Sequence, residues 1–267
     1  MNNHLLLAVG MACSLLACSS GMPEPPEPPD MVADAKKFFA PQGSLDTATG
    51  QELSDYLLKE GGIVLLAGGM LMNSFLPDWQ GDAEGERDEQ QGEGDALLEG
   101  EGWLKMSLPC GGNDALITFY SIFSDAGIEP YLWGNADNCA FDTGSSIIAA
   151  NGDIAFFLPL ESGYVAPSNW DGPQGIWMRL AGDVGYDNEG VSGSYLLMKD
   201  TTQATRILWE DGDKRFVLII SGIDSETLLQ PEELLDLTMT VQTGAGDWSC
   251  NFAELQCSGP NGEELSL

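Results

Sequence analysis

The sequence predicts an all-β fold: an antiparallel β-sandwich or open barrel of about 8 to 10 strands, preceded by a small mixed or helical N-terminal region. Three observations indicate this fold. From Trp103 onward, short apolar runs recur about every 8 to 15 residues, with turn residues between them. The 33 glycines of the 267-residue chain suit a fold with many turns. A hydrophobic content of 43% is sufficient for a large core.

The clearest strand pattern lies near the C-terminus, where Leu237, Met239 and Val241 alternate with polar residues. Two dipeptides, Asn151-Gly152 and Asp211-Gly212, lie between apolar runs and have the composition of tight hairpin turns. We therefore expect a hairpin at each dipeptide. The other candidate strands are 103–108, 115–123, 129–133, 145–150, 153–158, 175–181, 194–199, 204–209 and 215–221.

Two segments of different composition precede the β domain, which we place at residues 102–267. Residues 33–80 form a small mixed segment with helical character at 33–39 and 50–59. Within it, the five apolar residues from Ile63 to Ala67 fit a buried strand or a short core helix equally well. Residues 81–101 hold mostly acids and glycine, with little to bury, which predicts a disordered linker.

The N-terminus has the composition of an export signal. Residues 5–17 are apolar but too few to span a bilayer, and they run into Leu15-Leu16-Ala17-Cys18-Ser19. This motif resembles the lipobox of bacterial lipoproteins. The resemblance implies a signal peptide at 1–17, a diacylglyceryl thioether on Cys18, and a fatty acyl group such as palmitate on its new amine. Ser19 then implies an outer-membrane lipoprotein of the cell envelope, either periplasmic or surface-exposed.

Residues 18–32 have the composition of a tether. Five of the seven residues from Pro23 to Pro29 are proline, and proline lacks the N–H that helices and sheets need. We expect an extended polyproline II spacer, rising about 3.1 Å per residue. A proline-rich motif that docks on a partner is the alternative interpretation.

The charge balance limits the partners. The chain has 42 acidic and 10 basic residues, a formal net charge of −32. Nucleic acid and anionic lipid headgroups are excluded, because both require clustered Lys and Arg. The partners that remain are the membrane, through the lipid anchor, and an envelope protein or a glycan.

Four cysteines remain after cleavage and lipidation. An even number in an oxidising compartment favours two disulfides, and we prefer the pairs that are neighbours in sequence. A zinc site is the poorer alternative, because the only histidine, His4, lies in the signal peptide. The expected pairs are Cys110–Cys139 and Cys250–Cys257.

One motif points to catalysis. The run from Phe141 to Ser146 contains Asp142-Thr143-Gly144 and resembles the active-site loop of pepsin-like aspartic proteases. The resemblance implies that Asp142 is a catalytic carboxylate. The chain has no second Asp-Thr-Gly, and the same residues also make an ordinary turn. A glycosidase that uses two carboxylates is the other hydrolase hypothesis.

Two further groups point to ligands. Asp183, Asp187 and Glu189 lie in one glycine-flanked loop and offer the oxygen atoms that Ca²⁺ prefers, although such acids are also ordinary hydrated turn residues. Calcium is the only cofactor indicated. Trp170 lies in a polar loop and resembles the aromatic platforms of carbohydrate-binding β-sandwiches. The leading hypothesis is therefore a non-enzymatic envelope lipoprotein with a binding or structural role; a carbohydrate-binding module and a secreted hydrolase are the alternatives.

Overall fold

Strands dominate the computed structural model, and those in the described part of the chain belong to one antiparallel sheet of 13 strands. The all-β prediction is confirmed, with more strands than expected. The structure describes residues 26–75, 102–110, 115–124, 127–128, 131–142, 147–158, 175–187, 189–200, 204–221 and 231–267.

The strands pair almost in chain order, because the chain reverses direction between one strand and the next. The exception is β3, which pairs only with β2, so that the second partner of β2 along the sheet is β4. The bounds are β1 Gly102–Pro109, β2 Leu116–Ser124, β3 Gly127–Ile128, β4 Tyr131–Asp142, β5 Ile147–Phe157, β6 Gly175–Tyr186, β7 Glu189–Asp200, β8 Thr205–Asp211, β9 Lys214–Ile220, β10 Thr238–Thr243, β11 Gly246–Asn251, β12 Gln256–Ser258 and β13 Glu264–Ser266.

The hairpin predicted at Asp211-Gly212 is confirmed. Asp211 pairs with Lys214, so Gly212 and Asp213 form a two-residue loop between β8 and β9. Of these two loop residues, Gly212 alone has a positive φ, at 59°. A glycine is favoured there because the left-handed region costs it little.

The hairpin predicted at Asn151-Gly152 is wrong, because both residues lie inside β5. Gly152 pairs with Gly182 on β6, and their φ values are 133° and 143°. A Cβ atom on either residue would lie 2.9 Å from the Cα atom of the other. Glycine is therefore needed at position 152 because β5 and β6 approach each other closely there, and not because the chain turns.

The helices precede the sheet, apart from a 3-10 helix at Pro231–Asp236. They are α1 (Met31–Lys37), α2 (Thr47–Tyr56), a π-helical turn (Leu57–Gly61) and α3 (Gly62–Phe75). The run from Ile63 to Ala67, which periodicity could not assign, is helical. In the described part of the chain, none of the helices combines the length and the apolar character needed to cross a membrane.

Aspartate side chains begin two of these helices. Asp30 Oδ1 accepts a hydrogen bond from the Ala33 backbone N–H at 3.0 Å, and Asp46 Oδ1 accepts one from Thr49 at 2.8 Å. Each bond satisfies one of the N–H groups that a helix start leaves without an intrahelical partner. The hydrogen bonds from Thr49 also lower the pKa of Asp46 below its usual value.

Helix α3 covers the inner face of the sheet, the face that carries Phe156 on β5. Its residues from Ile63 to Met72 share one buried cluster with strands from β2 to β12. A Cβ atom on Gly68 would lie 2.7 and 2.9 Å from side-chain atoms of Leu197 and Met178, so the helix lies very close to β6 and β7. Because so many strands contact one helix, the sheet is curved around it.

Helix α1 covers the outer face, which carries Phe157 and Trp177. The two rings lie 5.5 Å apart between centroids, and both belong to a second buried cluster. The residues that α1 and its C-terminal end contribute to this cluster are Met31, Val32, Ala35 and Phe38. The sheet therefore has a hydrophobic core on each face.

The sheet divides between β7 and β8, which gives it a sandwich-like form. Over their described residues, three pairs join these strands: Leu197–Ile207, Met198–Arg206 and Lys199–Thr205. By contrast, β7 pairs with β6 along its whole length, as β8 does with β9. Beyond the three pairs, the two strands separate.

Both predicted disulfides are present. Cys110 joins Cys139 with a Cα–Cα distance of 5.0 Å, and Cys250 joins Cys257 with a Cα–Cα distance of 4.1 Å. The first links the end of β1 to β4, and the second links the neighbouring strands β11 and β12. All four cysteines are buried.

Candidate functional site

Two rows of side chains cross the outer face of β1 to β6. Directly opposed residues of antiparallel strands point to the same side of a sheet, so the pairing register defines each row. The first row is Lys105, Tyr120, Trp133, Ala155 and Arg179. The second row is Thr118, Asn135, Asp153 and Ala181.

These rows form the floor of a cavity of about 390 Å³, which we call the outer groove. Its wall is the chain segment 26–30, here called the proline segment, of which Pro26, Glu27 and Pro29 line the cavity. The groove therefore lies where the chain leaves its predicted membrane tether and enters the folded domain.

The first row combines aromatic rings with a cation. The rings of Tyr120 and Trp133 lie 6.0 Å apart between centroids at an interplanar angle of 33°. The Lys105 ammonium lies 6.0 Å from the centroid of the Tyr120 ring, within reach of a cation–π interaction. An aromatic surface beside a cation can bind a ligand that has both an apolar face and a negative charge.

The second row supplies hydrogen-bonding groups. Asn135 Nδ2 donates to Asp153 Oδ1 at 3.1 Å, and both side chains are exposed. An amide and a carboxylate side by side offer a donor and acceptors to a polar ligand. This part of the groove can orient a polar ligand.

The charge of the groove contrasts with that of the chain. Lys105 and Arg179 line it, although the whole chain has only 10 basic residues and a net charge of −32. Arg179 Nη1 lies 3.3 Å from Asp34 Oδ2 on α1, so this pair also holds the helix against the sheet. Asp153 and Glu27 also line the groove, so its charge is nearly balanced, and it repels an anionic ligand less than the strongly acidic remainder of the chain does.

Trp133 connects the groove to the proline segment. Its indole Nε1–H donates a hydrogen bond to the Pro26 carbonyl oxygen at 2.7 Å, and its side chain is only 4% exposed. Helix α1 begins at Met31, and the proline segment, which belongs to the predicted tether 18–32, lines the outer groove. Sequence reasoning did not find this groove, because its side chains come from five separate strands.

A second cavity of about 500 Å³ lies where β7 and β8 separate. Tyr195 on β7 lines it and donates a hydrogen bond to Glu60 Oε2 on the π-helical turn, at 3.4 Å. Burial, together with the charge and the hydrogen bond of the Glu60 carboxylate, raises the pKa of Tyr195 to about 12. Burial also raises the pKa of the neighbouring Tyr56.

These tyrosines predict a loss of stability in alkali. An unfolded tyrosine ionises near pH 10, whereas folded Tyr195 holds its proton to about pH 12. The folded state thus binds more protons between these values, and the free energy of unfolding falls as the pH rises through them. We expect Tyr195→Phe to flatten this fall in denaturant titrations between pH 9 and pH 12. An unchanged slope in the variant would contradict the assignment.

Several sequence-predicted site residues are only partly described. Cys18 and Trp170 lie outside the described residues. Asp142 is the last residue of β4, and the rest of its Asp-Thr-Gly motif lies outside the described part of the chain. Four tryptophans of the described strands are buried core residues: Trp133, Trp177, Trp209 and Trp248.

The predicted calcium ligands are not gathered into one site. Asp183 lies on β6 and accepts a hydrogen bond from the Asn151 amide, whereas Asp187 accepts one from the Ile147 backbone N–H. Glu189 begins β7 opposite Tyr186. Among the described residues, no group of three acidic, His or Cys side chains could hold a metal ion. Asp183 and Asp187 instead accept hydrogen bonds from residues of β5.

Comparison with known proteins returns no matching family model, no matching curated protein and no matching solved structure.

Proposed function

We propose that this protein is a lipid-anchored envelope protein, held to the outer membrane through Cys18, whose all-β domain binds a partner rather than catalysing a reaction. The observation that carries the proposal is the outer groove. It combines aromatic, cationic and hydrogen-bonding side chains in two ordered rows, next to the segment that leads from the anchor.

Other features support export and anchoring. Two disulfides suit an oxidising compartment outside the cytoplasm. The proline segment is close in sequence to Cys18: eight residues of extended chain reach about 25 Å, at the ~3.1 Å per residue of polyproline II. On this proposal, the outer groove faces the membrane or lies within a short distance of it.

The anchor is tested by Cys18→Ala. Because a chain with a net charge of −32 is repelled by anionic headgroups, the lipid is the attachment that we expect to hold it. The variant should appear in the soluble fraction after cell lysis, while the parent pellets with membranes. Leu16→Ala, which keeps Cys18 and places a small residue in the motif, is the matched control and should still pellet. A Cys18→Ala variant that pellets like the parent would contradict the anchor.

A glycan is a second candidate ligand, favoured by the half-buried Tyr120 ring beside the exposed Asn135 and Asp153. Sugars bind through stacking on aromatic faces together with several hydrogen bonds. Pull-down with insoluble cell-wall polysaccharides tests this candidate. Asn135→Ala should reduce retention if the groove binds sugar, and Trp170→Ala should reduce it if the loop does. No retention of the parent chain would remove the candidate.

A further inference from the structure

We propose that the outer groove is a recognition surface for a polyproline II segment, and that the chain's own proline segment occupies it in cis. This inference rests on the proposed function, that the groove is a binding surface, and it names the class of partner: an extended, acidic, proline-rich segment.

The spacing of the prolines supports this occupant. A polyproline II helix has three residues per turn, so residues i and i+3 lie on the same edge, about 9 Å apart. Pro26 and Pro29 have this spacing, and both line the groove, whereas Pro28 between them does not. The groove thus contacts the edge that carries the Pro-x-x-Pro pattern and, through Glu27, the neighbouring edge.

The hydrogen bond at Trp133 supports the same conclusion. Polyproline II has no internal hydrogen bonds, so its carbonyl groups are available to a partner. Trp133 Nε1 donates to the Pro26 carbonyl oxygen at 2.7 Å, and the ring forms part of the groove floor beside Tyr120. An aromatic groove with an N–H donor is the arrangement by which proteins bind proline-rich ligands.

Charge selects an acidic segment over a neutral one. Lys105 and Arg179 line the groove together with Glu27, the acidic residue between the two prolines that touch the floor. At the far end, Asp30 caps α1 through the Ala33 N–H, which determines where the extended segment stops. The segment is thus held by its proline rings and by one carbonyl group, with Glu27 in the same cavity as the two cations.

The sequence supplies the same unit twice, since Pro23-Glu24-Pro25 is followed by Pro26-Glu27-Pro28. A peptide of residues 23–30 therefore presents the bound pattern in either register. In the intact chain it must compete with the tethered copy, whose effective concentration is in the mM range for a short connection. A competing partner in trans would release the proline segment and lengthen the free tether.

The experiment compares the mature chain with a variant that carries Pro26→Ser, Pro28→Ser and Pro29→Ser, which keeps the length and charge of the segment. The probe is a synthetic peptide of residues 23–30, with a control peptide in which alanine replaces every proline. The readout is the indole N–H resonance of Trp133, assigned by its loss in Trp133→Phe. The indole signals of Trp209 and Trp248, which belong to the inner cluster, report whether each variant is folded.

We expect the triple variant to shift the Trp133 resonance and to expose its N–H to solvent exchange, and we expect the peptide to restore the parental signal. The intact chain should bind the same peptide at least about tenfold more weakly, because the tethered copy competes. In the triple variant, adding Trp133→Phe should weaken peptide binding about fivefold, the effect of one hydrogen bond. Because this substitution removes the Trp133 resonance, peptide binding is measured by calorimetry in that variant.

Lys105→Gln in the triple variant should weaken peptide binding and reduce its dependence on salt, whereas Lys59→Gln, at an exposed site on the π-helical turn, should not. Two outcomes would overturn the inference: an unchanged Trp133 resonance in the triple variant, or a folded triple variant that binds the peptide no better than the proline-free control. Glycan retention that persists in either case would leave the groove as a binding surface and remove only the polyproline ligand.

Discussion

Gly134→Ala is expected to be among the most destabilising single substitutions in the described sheet. Gly134 lies on β4 opposite Phe119, and a Cβ atom there would overlap the carbonyl oxygen of Thr118 on β2. It would also lie 2.9 Å from the Phe119 Cα atom. Both obstacles are backbone, so relief requires that the two strands separate. We expect a loss of about 3 kcal/mol or more in the free energy of unfolding.

Denaturant unfolding measures this loss, with Gly190→Ala as the matched control. Gly190 also lies on a strand, but a Cβ atom there would meet its nearest neighbour, the Val184 carbonyl oxygen, at an ordinary 3.7 Å. The control should change stability by less than about 1 kcal/mol. Equal effects of the two substitutions would show that β2 and β4 are not as close as the structure places them. Separation of β2 and β4 in Gly134→Ala would also disturb the outer groove, since both strands form part of its floor.

Removal of the Cys110–Cys139 disulfide is expected to have the second large effect. The double variant Cys110→Ala and Cys139→Ala opens a loop with a sequence separation of 29, whereas Cys250→Ala and Cys257→Ala open one with a separation of 7. Loop entropy predicts losses of roughly 3.5 and 2.5 kcal/mol. Alanine is chosen because serine would bury a hydroxyl group at these enclosed positions.

Thermal or denaturant unfolding of both double variants under oxidising conditions tests the order of the two losses. The shorter loop restricts the unfolded chain less, because few residues lie between its two cysteines. A larger loss from the shorter loop would mean that packing around the sulfur atoms, rather than chain entropy, controls the contribution. Under reducing conditions, the parent chain should have a free energy of unfolding no higher than that of the less stable double variant.

Local patterns predicted the fold class well. Alternation of apolar residues placed β10, and the Asp211-Gly212 dipeptide placed the hairpin between β8 and β9. The same reasoning was wrong at Asn151-Gly152, although the dipeptide has equally good turn chemistry. Whether a glycine with positive φ closes a hairpin or bends a long strand depends on what faces it. Here that residue is Gly182, some thirty positions further along the chain.

The apolar run from Ile63 to Ala67 shows a second limit. A fully apolar run has no periodicity, so a strand and a buried helix look alike in sequence. The run is helical because the curved sheet encloses α3 on its inner face and buries every side of these residues. Environment, rather than local propensity, therefore decided this element.

By itself, the sequence predicted the all-β class and favoured the two disulfide pairs that the structure contains, because each depends on local composition or on the spacing of a few residues. The export and lipidation signal at Cys18 has the same local basis and stays a prediction. Only the tertiary structure decided which side chains meet. The outer groove joins Lys105, Tyr120, Trp133, Asp153 and Arg179 from five strands, and its wall is a proline segment that composition alone describes as a spacer. Pairing register aligns residues far apart in the chain, and no local pattern records that register.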